Sequence, residues 1–571
     1  MNKPQYNHIA FISLATMIAI FIYSCANIAM PPGGPKDTQP PKEVKSMPPN
    51  YSKNFNIDKA RIYFDEFVTL NDVTNQVIIS PPLEEMPEFS LRGRSLVIEF
   101  MEDFKENTTY TIFLGSAISD ITETNILTNF EYVFSTGNTI DSLSIHGKVI
   151  NAFDNKPEKD ILVMLYLQTY DSIPYKEKPY YITRTGESGE FALNNLGEGK
   201  YKIFALRDAN SNYIYDLPNE AIAFSDSLIE SEYFKMFQND SLVSDSLINS
   251  EIINDTLKPF SYQLSLFEEP DTLQRLARAY SPLEGKLVFI FLKSTINPHI
   301  RLLNHDFKTS WYIEDFNSTN DTLTYWITNF ERDTLLLEVS DNGFVLDTTE
   351  IIIVKHKKKK EKLKDKGEKL SKKLVLVSNA RRSFNYYDPL IVTSSYPLTD
   401  FDFSEILLIE EEDTLKAKLV FDDQIKRMIR LDYEFKENTT YRLFIPDSAF
   451  TDIINRSNDT VLINFRTTSD DDYGILMLKL KVPGTDDQYI IQLLNEKDKV
   501  LQQQIVTAST EIIYKHLKPA KYLIKAILDN NINGKWDTGN YLNKLQPEKV
   551  YFFPAKINIR SKWEIEEEWK L

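Results

Sequence analysis

Two stretches of this 571-residue chain carry side-chain oxygens at a spacing suited to a metal ion. The first reads Asp208-Ala209-Asn210-Ser211-Asn212, with Asp216 eight residues after Asp208. The second reads Asp529-Asn530-Asn531-Ile532-Asn533-Gly534, with Asp537 at the same spacing. Oxygens at loop positions 1, 3, 5 and 9, with glycine at 6 in the second copy, follow the order of a calcium loop; that hard cation takes about six to eight oxygens. Asp208, Asn210, Asn212, Asp216, Asp529, Asn531, Asn533 and Asp537 are therefore the candidate calcium ligands. Position 12 is Asn219 or Asn540 instead of a bidentate glutamate. Calcium would then bind weakly, at a Kd of about 10⁻⁴–10⁻³ M, as a structural clip. The competing reading is a turn in which Asp and Asn side chains cap backbone groups. No other cofactor is expected.

Other chemistry is poorly supplied. The histidines (His8, His146, His299, His305, His356, His516) are scattered, with no ligand pair beside them for zinc. Asp65-Glu66 and Glu410-Glu411-Glu412 offer carboxylates, but neighbours on a strand point to opposite faces and cannot act as a pair. The chain contains no GxGxxG, GxxxxGK[ST], HExxH or GxSxG. Only 17 glycines are present, so phosphate-cradling loops are not expected. No catalytic residue is assigned, and the chain is expected not to be an enzyme.

The one cysteine has a distinctive setting. Residues 9–22 (IAFISLATMIAIFI) are an uncharged apolar run of 14, short for a membrane-spanning helix and the length of a signal-peptide core. The run ends in Ile22-Tyr23-Ser24-Cys25. An aliphatic residue, a small residue and then cysteine resemble the bacterial lipobox, which implies cleavage before Cys25 and a lipid on its sulfur. Disulfides are excluded, since Cys25 is alone. The Pro- and Gly-rich stretch after it reads as a tether that lifts the folded part off the bilayer. Ala26 follows the cysteine and the first acid is Asp37, so an outer-membrane location facing the periplasm is expected.

The net charge of −18 opposes nucleic-acid binding, which needs concentrated Lys and Arg. A hydrophobic fraction of 42% suffices for true cores. Internal duplication is plain. Phe104–Tyr110 and Phe435–Tyr441 both read FKENTTY. Ser116-Ala117-Ile118-Ser119-Asp120-Ile121 then matches Ser448-Ala449-Phe450-Thr451-Asp452-Ile453. A second repeat aligns Leu196-Gly197-Glu198-Gly199-Lys200-Tyr201 with Leu517-Lys518-Pro519-Ala520-Lys521-Tyr522. The chain is a duplicated two-domain unit with a middle section between the copies. Its local pattern is β. Leu476, Leu478, Leu480 and Val482 alternate with other residues, the period of a strand with one buried face. Tyr and Phe, 30 and 35 residues, are read as core packing, with a sugar-stacking platform as the functional alternative.

Residues 43–137 resemble the SbsA-type bacterial Ig-like domain through Ile62–Val68, Ile79-Ser80-Pro81-Pro82, Asn107-Thr108-Thr109-Tyr110 and Phe134-Ser135-Thr136-Gly137. Residues 374–468 look like a diverged copy that keeps Asn438-Thr439-Thr440-Tyr441. Residues 140–225 resemble a transthyretin or carboxypeptidase-regulatory β-sandwich through Ile145-His146-Gly147-Lys148-Val149, Ser188-Gly189-Glu190-Phe191 and Gly199-Lys200-Tyr201. Residues 472–571 form its second copy. The whole is similar to the Ig-like-domain lipoproteins of Bacteroidetes, which implies an all-β fold of tandem β-sandwiches on a lipid anchor. The expected organisation is a lipoprotein signal peptide (1–24), a tether (25–42), these sandwiches, a polar excursion (226–260), a middle β domain (261–354) and a Lys-rich linker (355–373) read as a hinge. Repeated Asp-Ser/Thr-aliphatic triplets, such as Asp141-Ser142-Leu143 and Asp333-Thr334-Leu335, resemble the O-glycosylation motif of exported proteins from this group.

The expected function is that of a non-enzymatic envelope rod with a structural or partner-binding role. The alternative is a surface lipoprotein for glycan binding or adhesion. Expected partners are the membrane, through the anchor, and an envelope protein or glycan; edge strands could pair with a partner's strand.

Overall fold

The computed structural model describes residues 36–128, 130–231, 261–271, 273–304, 311–327, 334–354, 373–484 and 487–571. Cys25, the signal segment 1–24, tether residues 25–35, excursion residues 232–260 and linker residues 355–372 lie outside the described residues. The fold is all-β, in tandem Ig-like sandwiches. Its described helical elements are single turns, such as Val73–Gln76. Two compact units are formed. One reaches to Ile150 and takes in Pro157–Asp216 and Ala223–Leu264; the other holds Asn151–Lys156, Leu217–Ile222 and Ser265–Leu571.

The first unit opens with a sandwich whose strands bury every second residue. In Lys59–Phe64, Ala60, Ile62 and Phe64 point inward. That strand lies between Glu43–Met47 and Ser95–Glu99 in a four-stranded sheet completed by Glu88–Leu91. The opposing sheet orders Glu131–Ser135, Thr109–Phe113 and Ile78–Ser80. Phe55, Ile62, Tyr110 and Phe134 meet in the core between them.

The duplicated FKENTTY sequence is a backbone lock, present in each unit. In the first copy the Tyr110 hydroxyl accepts the Lys105 N–H at 2.9 Å. Thr136 Oγ1 accepts the Thr108 N–H (2.9 Å) and donates to the Lys105 carbonyl (2.7 Å). In the second, the Tyr441 hydroxyl accepts the Lys436 N–H at 3.0 Å. There Thr467 Oγ1 accepts the Thr439 N–H (2.9 Å) and donates to the Lys436 carbonyl (2.6 Å). Asn107 and Asn438 both take the left-handed conformation, φ 49° and 51°, which Asn tolerates better than most residues. Each tyrosine ring stacks on the closing phenylalanine, Phe134 or Phe465. The matching Asp120 and Asp452 are buried and accept the backbone N–H groups of their own turns. The two identical stretches thus fold into the same turn.

The second sandwich of the first unit pairs Leu162–Tyr166 with Tyr181–Arg184 on one side and Lys200–Arg207 on the other. Leu143–Asn151 pairs with Glu190–Leu196. Tyr201 donates its hydroxyl to the Gly197 carbonyl at 2.7 Å, and Tyr522 donates to the Lys518 carbonyl at the same distance. Both are tyrosine corners, a hydroxyl turned back on the upstream backbone. The second sequence repeat encodes them.

In the second unit, the middle domain builds its own sheets from Leu276 onward. Leu276–Leu283, Lys286–Phe291, Thr322–Ile327 and Tyr312–Phe316 form one; Pro298–Leu302, Thr334–Asp341 and Phe344–Ile352 form the other. This corrects the expected start at residue 261. Ser261–Glu268 pairs instead with Ala221–Phe224, placing Ala221 opposite Glu268, and buries Leu266 and Phe267 there. The Lys-rich linker read as a hinge lies, apart from Lys373, outside the described residues. Trp326 of the middle domain packs with Tyr396 and Ile453 of the second Ig-like domain. Arg427 lies over the Trp326 ring and pairs with Asp315 at 3.2 Å, while the Tyr396 hydroxyl donates to the Glu284 carbonyl at 2.7 Å.

The C-terminal sandwich sets Gly474–Lys481 between Thr510–Leu517 and the parallel strand Glu564–Lys570. Its other sheet orders Val500–Val506, Gln488–Asn495, Ala520–Asp529 and Val550–Phe552. The turn Asn151–Lys156 is seated on this sandwich. Phe153 packs edge-on against Trp536, Asn155 Nδ2 donates to the Val550 carbonyl (2.8 Å), and Lys156 pairs with Asp498 (3.1 Å). Lys525, only 2 % exposed, points its ammonium at the Phe153 ring, 3.1 Å from the centroid.

Replacing Tyr110 or Tyr441 by Phe removes the acceptor of a turn N–H while leaving the core shape intact. Each change is expected to cost about 1 kcal/mol. The two costs should add, because they fall in different domains. Urea unfolding of the full chain checks this; a single variant with an unshifted transition would contradict the lock.

Candidate functional site

Both Asp-x-Asn-x-Asn loops gather their predicted residues within hydrogen-bond reach. The first follows Lys200–Arg207 and the second begins at the end of Ala520–Asp529. In the first, Asp208 accepts the N–H groups of Asn210 (3.2 Å), Ser211 (2.7 Å) and Tyr213 (2.8 Å). Asn210 and Asn212 each donate a side-chain amide to Asp216, at 3.1 and 3.0 Å. Asn212 Oδ1 accepts the Ile214 N–H at 2.7 Å.

The second loop repeats this plan at greater depth. Asp529 is buried and accepts the N–H groups of Asn533 (3.1 Å) and Gly534 (2.8 Å) and the Gln488 amide (2.7 Å). Burial pushes its carboxyl up, but these bonds outweigh burial and hold it below the usual carboxylate range. Asn531 donates to Asp537 at 2.6 Å, and Asn533 donates to the same oxygen. Glu548 closes the loop by accepting the N–H groups of Asn530 (2.8 Å) and Asp537 (3.0 Å). Its carboxyl is pushed up, chiefly by burial and also by the nearby charges of Asp529 and Asp537.

Glu548 and Gln488 were not legible as members of this site. They lie 19 residues after and 41 residues before Asp529 and join it only through strand pairing. In both loops the Asn amides turn their N–H groups, not their oxygens, towards the final aspartate, so the ring closes on itself. Among the described residues, no group of three or more His, Cys, Asp or Glu is disposed to hold a metal ion.

A second feature lies on the second Ig-like domain. An open groove of about 580 Å³ is lined by residues that include Tyr386, Tyr387, Arg430, Asp432 and Tyr433. Tyr387 stacks on His516 with ring centroids 4.1 Å apart. The Tyr386 and Tyr433 hydroxyls donate to Asp470 and Glu410, both at 2.6 Å. The groove thus combines fixed tyrosine rings with the charged side chains of Arg430 and Asp432. Among the described residues, no helix is long and apolar enough to cross a membrane.

The fourth residue of each loop is left-handed: Ser211 at φ 59° and Ile532 at φ 61°. A β-branched side chain is strained there. Ile532 is also 67 % exposed, so little packing offsets the strain. Ile532→Asn is expected to stabilise the chain by about 1 kcal/mol, read as a higher thermal midpoint. An equal or lower midpoint would show that the isoleucine makes a contact that outweighs the strain.

Residues 37–136 match the family described as the bacterial Ig-like domain. No curated protein sequence matches the chain. Among solved structures, the MG0-NIE-MG1 domains of Escherichia coli alpha-2-macroglobulin share 11% identity over 32% of this chain and 71% of theirs, with a TM-score of 0.17. BcpA, the major pilin subunit of Bacillus cereus, shares 9% over 75% of this chain and 99% of its own, with a TM-score of 0.15. The Bacillus anthracis TIE protein shares 10% over 95% of this chain and 76% of its own, with a TM-score of 0.14. Likenesses at this level carry no functional argument. The chain thus carries a bacterial Ig-like domain in its first sandwich, residues 37–136.

Proposed function

We propose that this chain is a non-enzymatic, lipid-anchored protein of the bacterial cell envelope whose sandwiches serve a structural or partner-binding role. The observation that carries this reading is the placement of the only cysteine, Cys25, directly after an uncharged apolar run of 14 residues. Several acyl chains on that sulfur would anchor the chain stably, at ~0.8 kcal/mol per buried CH₂. The filled aromatic cores support a scaffold, since most of the large rings pack against one another. The location we favour is the outer membrane, facing the periplasm. The tyrosine-lined groove supports a second reading, a surface lipoprotein that binds glycans, because fixed tyrosine rings beside charged side chains suit sugar rings.

One experiment separates these readings. Protease is added to intact cells and to lysed cells, alongside a Cys25→Ala control that should lose lipid labelling. Protection until lysis is expected. Degradation on intact cells, with glycan-array binding lost in Tyr387→Ala, would favour the second reading.

The Asp-Asn loops, in this reading, are self-closed turn clips, with calcium as the alternative occupant. Equilibrium dialysis at about 1 mM calcium, within the range of weak extracellular sites, is expected to show no ion bound. Bound calcium that disappears in Asp537→Ala would assign the loop to the cation.

A further inference from the structure

The C-terminal sandwich ends one sheet on a strand that, among the described residues, has no neighbour on its outer side. Val500–Val506 reads VLQQQIV and pairs only with Gln488–Asn495. Val500 to Ile505 are all exposed, and the seven residues include no charge and no proline. Natural edges are usually protected by charged side chains, prolines or bulges. This strand has one bulge, at Leu501, and runs in regular register from Gln502 to Val506. Along its outer side no backbone partner is found among the described residues.

The strand also reads nearly alike in both directions. Turned antiparallel onto a second copy about Gln503, it sets Gln502 opposite Gln504 within the regular part of the strand, and brings the apolar pair Val500 and Leu501, at the bulge, towards the apolar pair Ile505 and Val506. Past the ends lie Asp498 and Lys499 on one side and the uncharged Thr507 and Ala508 on the other, so no like charges face each other. A two-fold interface needs this self-complementarity, because each residue must accept its own counterpart. The centre is already fixed. Gln503 accepts the Gln492 amide at 2.8 Å and donates to the Gly534 carbonyl at 3.4 Å. Gln502 and Gln504 project from the opposite face, by the period of two, where facing amides form a ladder.

We propose that the chain self-associates through Val500–Val506, two copies joining antiparallel about Gln503 so that their sheets become continuous. Backbone hydrogen bonds supply the attraction, and the palindrome selects a second copy of this chain over an unrelated strand.

Sedimentation velocity of the full chain in mild detergent, from about 1 to about 100 μM, tests this through mass action. A concentration-dependent shift from monomer to dimer is expected. In the double variant Gln502→Lys with Gln504→Lys, like charges face each other across the two-fold, and association should weaken by about tenfold or more. In Gln502→Lys with Gln504→Glu, opposite charges face each other, and the dimer should persist. Circular dichroism should match the parent chain in both variants. A monomer throughout the range, including one whose edge takes another protein's strand, would overturn the proposal. So would equal behaviour of the two variants.

Discussion

Four of the sandwiches share one constraint, a phenol hydroxyl set against backbone groups. A sandwich stacks two sheets, and its turns must return each strand at the right height. Tyrosine suits this task because its ring fills the core while its hydroxyl meets a peptide group at the rim. Tyr110 and Tyr441 hold the turn N–H of Lys105 and Lys436; Tyr201 and Tyr522 hold the carbonyls of Gly197 and Lys518. Four tyrosines thus lock four sandwiches. The chain has no second cysteine with which to make a disulfide, so these locks serve where a covalent staple is unavailable.

What could be read from the residues was the part that local repetition encodes. Leu476, Leu478 and Leu480 alternate and are all buried, as their period of two requires. The two FKENTTY stretches matched in structure to within about a tenth of an ångström at their shared hydrogen bonds. The unreadable part is set by partners distant in sequence. Nothing near Trp326 announces Tyr396 or Arg427, and nothing in Asn151–Lys156 announces the seat beside Trp536. Ser261–Glu268 was misplaced for the same reason. Its apolar alternation fits any sheet, and pairing with Ala221–Phe224 is settled by the packing of Leu266 and Phe267.

The Asp-Asn loops show where spacing stops being informative. It correctly brings Asp208 to Asp216 and Asp529 to Asp537, because a tight turn converges alternate side chains. It does not say that the Asn210 and Asn531 amides donate to the final aspartate of each loop. Nor does it find Glu548, whose place depends on the strand after the loop. The second loop buries its leading aspartate, Asp529, and both loops hold non-glycine residues in the left-handed region, Ser211 and Tyr213 in the first and Ile532 in the second.

Lys525 has a consequence for how the second unit responds to protons. Burial lowers its ammonium to about 8, below the ~10.4 of a lysine in an unfolded chain. Between those values the unfolded chain holds the extra proton, so this residue makes the fold gain stability as pH rises from about 8 to 10.4. Below about 8 both states are charged and the full desolvation cost remains, set against the face of Phe153. Asp529 has linkage of the same sign, in the acid range. Its depressed carboxyl contributes stability above the ordinary carboxylate range, and that contribution is lost as acid protonates it. One strand, Ala520–Asp529, therefore carries both groups, and both favour the alkaline side.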